Sequence, residues 1–154
     1  MSVKNLVGKK VSHLADIWSF CLFRYFIKCI IKSFSFILFR RLYWSDWGTK
    51  NPKIESSDLD GSNRVVLVKD NLKWPNGVAL DYKRRRLYWV DAGSDRIEYY
   101  DLGSKIRYSL DVESPHAFGV SILGDKLFWT DWEKRSLFQW NLITKEREKV
   151  CLIS

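Results

Sequence analysis

YWSDWG at residues 43–48, YWVDAG at 88–93 and FWTDWE at 128–133 are one motif written three times. Their starts lie 45 and 40 residues apart, the period of a repeat architecture in which each unit covers its neighbour. Each copy follows a basic residue and a leucine: Arg41-Leu42, Arg86-Leu87 and Lys126-Leu127. Leu-Tyr-Trp-x-Asp alternates leucine and tryptophan on one face with tyrosine and a small residue on the other. Both faces are mostly apolar, so the segment reads as a strand covered on both sides.

Working outward, KIESSDLDG (53–61), RIEYYDLGS (96–104) and SLFQWNLIT (136–144) follow the three motifs. Ile54, Ile97 and Leu137 correspond, as do Asp58, Asp101 and Asn141. A third unit, WPNGVALD at 74–81 and SPHAFGVSI at 114–122, precedes the second and third motifs. Turn chemistry separates the strands at Asp60-Gly61, Pro75-Asn76-Gly77, Gly103-Ser104 and Gly124-Asp125. Four short strands per unit of about 40–45 residues, with no long helical period after residue 40, predict the blades of a β-propeller.

These residues resemble the YWTD repeats of the low-density-lipoprotein-receptor-related family, over about residues 41–150. The order YWSDWG, then WPNGVALDY with LYWVDA, then PHAFG with GDKLFWTDW is similar to the last three blades of such a propeller. WD40 propellers share the period but lack the Tyr-Trp-x-Asp strand. The resemblance implies an all-β fold, a partial propeller of about three of six blades. Six blades at this period need roughly 260 residues. We therefore expect the three repeats to belong to a larger unit, because half a propeller leaves two blade faces uncovered.

Residues 1–40 are unlike the rest and are set apart from a propeller domain at 41–154. They carry seven Lys/Arg and one Asp, whereas 41–154 carry 19 Lys/Arg and 17 Asp/Glu. The formal net charge of +8 is thus concentrated in the first segment, and no nucleic-acid footprint is implied. The run Lys83-Arg84-Arg85-Arg86 reads as a solvated turn. Residues 17–39 are apolar and aromatic, with Arg24, Lys28 and Lys32 spaced along one helical face. Three readings stand: a membrane span, a secretory signal, or a mis-assigned start translating an intron end, as Ser-Phe-Ser-Phe-Ile-Leu-Phe (33–39) before Arg40 would result from a pyrimidine tract and AG. A span bears three cations near its middle, each costing roughly 2.5–3.5 kcal/mol. Cys21, Cys29 and Cys151 supply neither a disulfide framework nor a metal spacing.

Asp46, Asp91 and Asp131 end the same strand in each unit, so they read as hydrogen-bonding braces rather than catalytic acids or metal ligands. Tyr43, Trp44, Tyr88, Trp89, Phe128 and Trp129 read as packing between blades. Trp47, Trp74, Asn76, Pro115, His116, Phe118 and Trp132 break the repeat or begin the innermost strands. The resemblance implies that these positions open around the central channel, where protein ligands dock. His116 is also a candidate pH sensor.

The expected function is a protein-binding module of a receptor ectodomain, serving ligand uptake or Wnt co-receptor signalling, with neither enzymatic activity nor cofactor nor metal. The expected partners are extracellular protein ligands, with EGF-like modules and the remaining blades in a full-length parent, and no nucleic acid. The membrane enters through the parent or through residues 17–39. The expected location is the extracellular face of the plasma membrane, with secretion as the alternative. A nidogen-like matrix protein is the second reading. A gluconolactonase-like propeller enzyme is the third, since Asn76 and Asp91 stand where such enzymes place metal ligands.

Overall fold

The computed structural model describes residues 36–38, 40–48 and 50–152. They form twelve strands: β1 (Phe36–Leu38), β2 (Arg41–Asp46), β3 (Lys53–Asp58), β4 (Val65–Val68), β5 (Pro75–Asp81), β6 (Arg86–Asp91), β7 (Arg96–Asp101), β8 (Ile106–Glu113), β9 (Ala117–Leu123), β10 (Lys126–Asp131), β11 (Ser136–Asn141) and β12 (Arg147–Leu152). Among the described residues there is no helix. The strands pair in chain order into three four-stranded antiparallel sheets, β1–β4, β5–β8 and β9–β12. These are three consecutive propeller blades, and the Tyr-Trp-x-Asp motif is the second strand of each. The opening strands pack together, with β5 lying against β9 on one side and against β1 and β2 on the other.

The first blade begins earlier than the change in composition suggests. Phe36–Leu38 falls within residues 1–40, yet it pairs with β2, Leu38 opposite Arg41. A short apolar strand continues an apolar segment without any compositional break, so the boundary at 40 falls inside the first sheet. The readings of residues 17–39 as a span, a signal or an intron remnant fall, at 17–35 and 39, outside the described residues, as do Cys21 and Cys29. No helix among the described residues is long and apolar enough to cross a membrane.

Alternation along the motif strand builds the joints between blades. Leu87 and Trp89 join Tyr43, Ile54, Val68, Val78 and Leu80 in the core between the first and second sheets. Tyr88 and Val90, one residue along and so on the opposite face, join Ile97, Ala117, Leu127, Trp129 and Phe138 between the second and third. Leu87, Tyr88, Trp89 and Val90 are all fully buried. On the outward faces of the end sheets, the equivalent Leu42 and Trp44, and Phe128 and Thr130, are half-buried. Among the described residues, the blade with two neighbours is covered twice and the end blades once.

The inner strands cross closely at Gly77. A Cβ there would meet the Phe118 carbonyl oxygen at 2.7 Å and the Val120 nitrogen at 2.9 Å, so only glycine allows β5 to approach β9 so closely.

One turn recurs. Strands end in Asp81, Asp91, Asp101, Asp131 and Asn141, and each side chain accepts backbone N–H bonds from the turn that follows: Arg84 at 2.9 Å, Gly93 at 3.0 Å, Gly103 at 3.0 Å, Lys134 at 2.8 Å and Ile143 at 2.9 Å. The turns close on Arg85, Asp95, Lys105, Arg135 and Lys145, all with φ between 45° and 60°. Asp and Asn favour this geometry because their short side chains bond the backbone two or three residues on.

The basic run at 83–86 is less solvated than its sequence implies. Arg84 binds Asp81 (2.9 Å) and Asp125, joining the second blade to the third. Arg84 and Lys83 together hold the Asp125 carboxyl below the usual carboxylate range, chiefly through the Arg84 hydrogen bond. Arg86 pairs with Asp101 at 3.4 Å and lies over the Tyr99 ring.

Candidate docking end

The second strand of each blade ends, and the first strand begins, at the same end of the sheets, since Pro75 pairs with Asp91 and Ala117 with Asp131. The motif aspartates brace this end. Asp91 is fully buried and accepts four backbone N–H bonds: Lys73, Trp74 and Gly93 at 2.9, 2.9 and 3.0 Å, and Ser94 at 3.2 Å. Both of its oxygens are thereby committed to fixing the chain that leads into β5 and the turn that leaves β6. Asp131 receives Lys134 N–H at 2.8 Å, and Asp46 receives Gly48 N–H at 3.0 Å.

That bracing presents aromatic side chains at two recurring positions. The Ala92 N–H donates to the Trp74 carbonyl at 3.1 Å, and the Trp132 N–H donates to the His116 carbonyl at 3.3 Å. Trp74 and His116 are therefore equivalent, as are Ala92 and Trp132. The second blade carries its indole before the first strand, the third blade after the second strand. Trp74 is 57% exposed, Trp132 63% and Phe118 39%, which is unusual for large aromatic side chains in a protein whose other motif tryptophans are buried or half-buried. The His116 ring meets the Trp132 ring edge-on at 5.2 Å, and its Nδ1 lies 2.6 Å from Glu133 Oε2, an ion pair when the imidazole is protonated.

The other candidates are placed differently. Asn76 is half-buried and holds blades together: its carbonyl accepts the Ser45 hydroxyl at 2.5 Å, and its side-chain amide donates to the Ala117 carbonyl at 3.2 Å. Pro115 is half-buried in the turn between Ser114 and His116, whose φ is 56°. Trp47 is half-buried after β2. Among the described residues, no group of three or more His, Cys, Asp or Glu could hold a metal ion. Cys151 is free and exposed.

Residues not singled out from the sequence form a second repeated device beside the motif tryptophan. Glu98 lies opposite Trp89 across strands, buried, and Arg107 grips it with bonds of 3.1 and 2.6 Å while lying over the indole. Glu55 and Arg64 repeat this over Trp44 with bonds of 2.9 and 2.5 Å. In the third blade Phe138 replaces the glutamate, and Arg147 stacks over Phe138 and Trp129. The signal in the sequence was the glutamate that follows both Ile54 and Ile97.

Comparison with known proteins agrees with this geometry. Residues 40–82 match the low-density lipoprotein receptor repeat class B. The chain carries the class B repeat. The matched span takes in β2, β3 and β4 of one sheet and β5 of the next, so a single class B repeat links two blades. The chain is 43% identical over 98 residues to the vitellogenin receptor Yl of Drosophila melanogaster, covering 62% of this chain and 5% of that protein. It is 38% identical over 109 residues to the human low-density lipoprotein receptor-related protein 5-like protein, covering 70% of this chain and 43% of that one. A chain in the crystal structure of a nidogen/laminin complex superimposes with a TM-score of 0.67 at 36% identity, covering 75% of this chain and 43% of that one. The chain thus spans less than half the length of these relatives. By name one of these relatives is a receptor and the other a receptor-related protein.

Proposed function

We propose that this chain is a protein-binding module of a receptor ectodomain, docking extracellular protein ligands on the end that carries Trp74 and Trp132. The observation that carries the reading is the pair of exposed indoles on a backbone pinned by the motif aspartates. Rigid, exposed tryptophans are the residues on which interface energy concentrates. The receptor relatives support a place at the extracellular face of the plasma membrane, within a longer parent that supplies further blades and EGF-like modules. Ligand uptake, as the name of the vitellogenin receptors suggests, and Wnt co-receptor signalling are the two roles this family relation favours. A matrix-binding role is the second reading, favoured by the likeness to a chain of the nidogen/laminin complex.

The test is a titration of the chain with vitellogenin and with laminin. Trp74→Ala and Trp132→Ala are each expected to weaken binding of the cognate ligand by about 2 kcal/mol, roughly 30-fold, with the fold intact by circular dichroism. Asn76→Ala is expected to weaken binding indirectly, by loosening the joint it makes with Ser45 and Ala117. A tightly bound divalent metal that is lost in Asn76→Ala, with protein binding indifferent to both tryptophan changes, would replace this reading with the enzymatic one.

A further inference from the structure

We propose that the cleft between the first and second blades, beside Trp74, takes an extended acidic segment of a protein ligand; this rests on the reading that the indole-bearing end is the docking end. The cleft is open to solvent, has a volume of about 540 Å3 and is lined by Lys50, Pro52, Leu72, Lys73, Trp74 and Gly93. Lys50 and Pro52 come from the β2–β3 connection, the next three from the segment joining the two sheets, and Gly93 from the β6–β7 turn.

The cleft is preformed. Asp91 holds the backbone N–H groups of both Lys73 and Trp74 at 2.9 Å. Gly93 lets these side chains lie across the turn: a Cβ there would stand 2.6 Å from the Lys73 Cβ and 3.1 Å from the Trp74 ring. Neither Lys50 nor Lys73 makes an ion pair among the described residues. Of the acids around it, Asp70 and Asp95 are exposed, and the others are matched. Asp91 is buried against four N–H groups, while Asp46 and Glu55 face Lys53 at 3.9 and 3.8 Å. Lys50 and Lys73 therefore line the cleft together with the exposed Trp74, Pro52 and Leu72.

That pattern suits carboxylates alternating with apolar side chains, the carboxylates on the lysines and an apolar group on the indole. A sulfated glycan fits less well, because such sites use clusters of about five to eight bases and this cleft has only Lys50 and Lys73.

The probe is an acetylated, amidated peptide of alternating glutamate and leucine, about ten residues long, titrated calorimetrically into the 154-residue chain. Its control is the glutamine–leucine twin. Saturable binding is expected that weakens as salt rises, because the lysines are exposed. Lys50→Glu combined with Lys73→Glu is expected to weaken it at least tenfold, and the neutral twin should not bind. Both lysines are exposed, so the fold should persist, and circular dichroism checks it. Equal affinity of the charge-reversed chain, equal binding of the twin, or displacement of the peptide by a heparin oligosaccharide would each overturn the proposal. Laminin or vitellogenin separates the two readings. Sensitivity to Trp132→Ala without sensitivity to the lysine pair removes the cleft and keeps the docking end. Insensitivity to both tryptophans removes the docking end itself.

Discussion

Trp89→Ala is expected to destabilise the chain by roughly 3–5 kcal/mol, the cost of emptying a large aromatic site in a packed core. Trp89 is fully buried and sits in the joint between the first and second blades with Tyr43, Ile54, Val78 and Leu80. The joint is flanked by β-strands pinned by hydrogen bonds on both sides, so the cavity can collapse only in part. Domains of this size hold about 5–15 kcal/mol in all, and among the described residues the end blades are covered on one face only. The cooperative urea transition should move to far lower denaturant or vanish. Trp132→Ala is the control. At 63% exposed, Trp132 should cost about 0.5 kcal/mol or less. Trp89→Ala protein that unfolds at the wild-type midpoint would refute the inter-blade placement of the motif tryptophan.

The second large effect belongs to Arg107. Removing one partner of a buried ion pair leaves an uncompensated charge and costs about 3–5 kcal/mol. The Glu98 carboxylate is buried, and Arg107 supplies two of its hydrogen bonds. Arg107 also donates to the carbonyls of Asp70 and Asn71, tying the outer strand to the segment between blades, and it covers the Trp89 indole. Arg107→Ala removes all three at once. The third blade shows a cheaper way to end the pair, since Phe138 stands in the glutamate's place with an arginine stacked on it at 4.3 Å. Glu98→Phe with Arg107 retained should therefore cost markedly less than Arg107→Ala. Urea unfolding of the two variants side by side decides this, and equal losses would mean that the buried charge is not what makes Arg107 matter.

How much of this the residues disclosed depends on whether the signal was local. The motif strand was legible because Leu-Tyr-Trp-x-Asp states its own alternation, and three copies at a blade-like spacing leave few other folds. The ten-residue step from Asp81 to Asp91 to Asp101, six residues of strand and four of turn, is written in the sequence, but three acids at that spacing become a turn signal only beside the strands they end. The beginning of the first blade was not legible, because Phe36–Leu38 is a strand only by virtue of pairing with β2. Asn76 was legible as a special position but not as a joint, since its partners Ser45 and Ala117 lie 31 and 41 residues away. Lys50 and Lys73 looked like ordinary surface lysines, and only the fold brings them to one cleft with Trp74.

The most direct test of the docking end is a titration followed by the indole N–H signals of the tryptophans, with laminin and vitellogenin each added to the isotopically labelled chain. Trp74 and Trp132 should exchange fast with solvent in the free chain, then shift or broaden on binding of the cognate ligand. Trp89 and Trp129, buried between blades, should exchange slowly and hold their positions. Shifts confined to Trp89 and Trp129, with Trp74 and Trp132 unmoved at saturation, would contradict the assignment of this end as the docking surface.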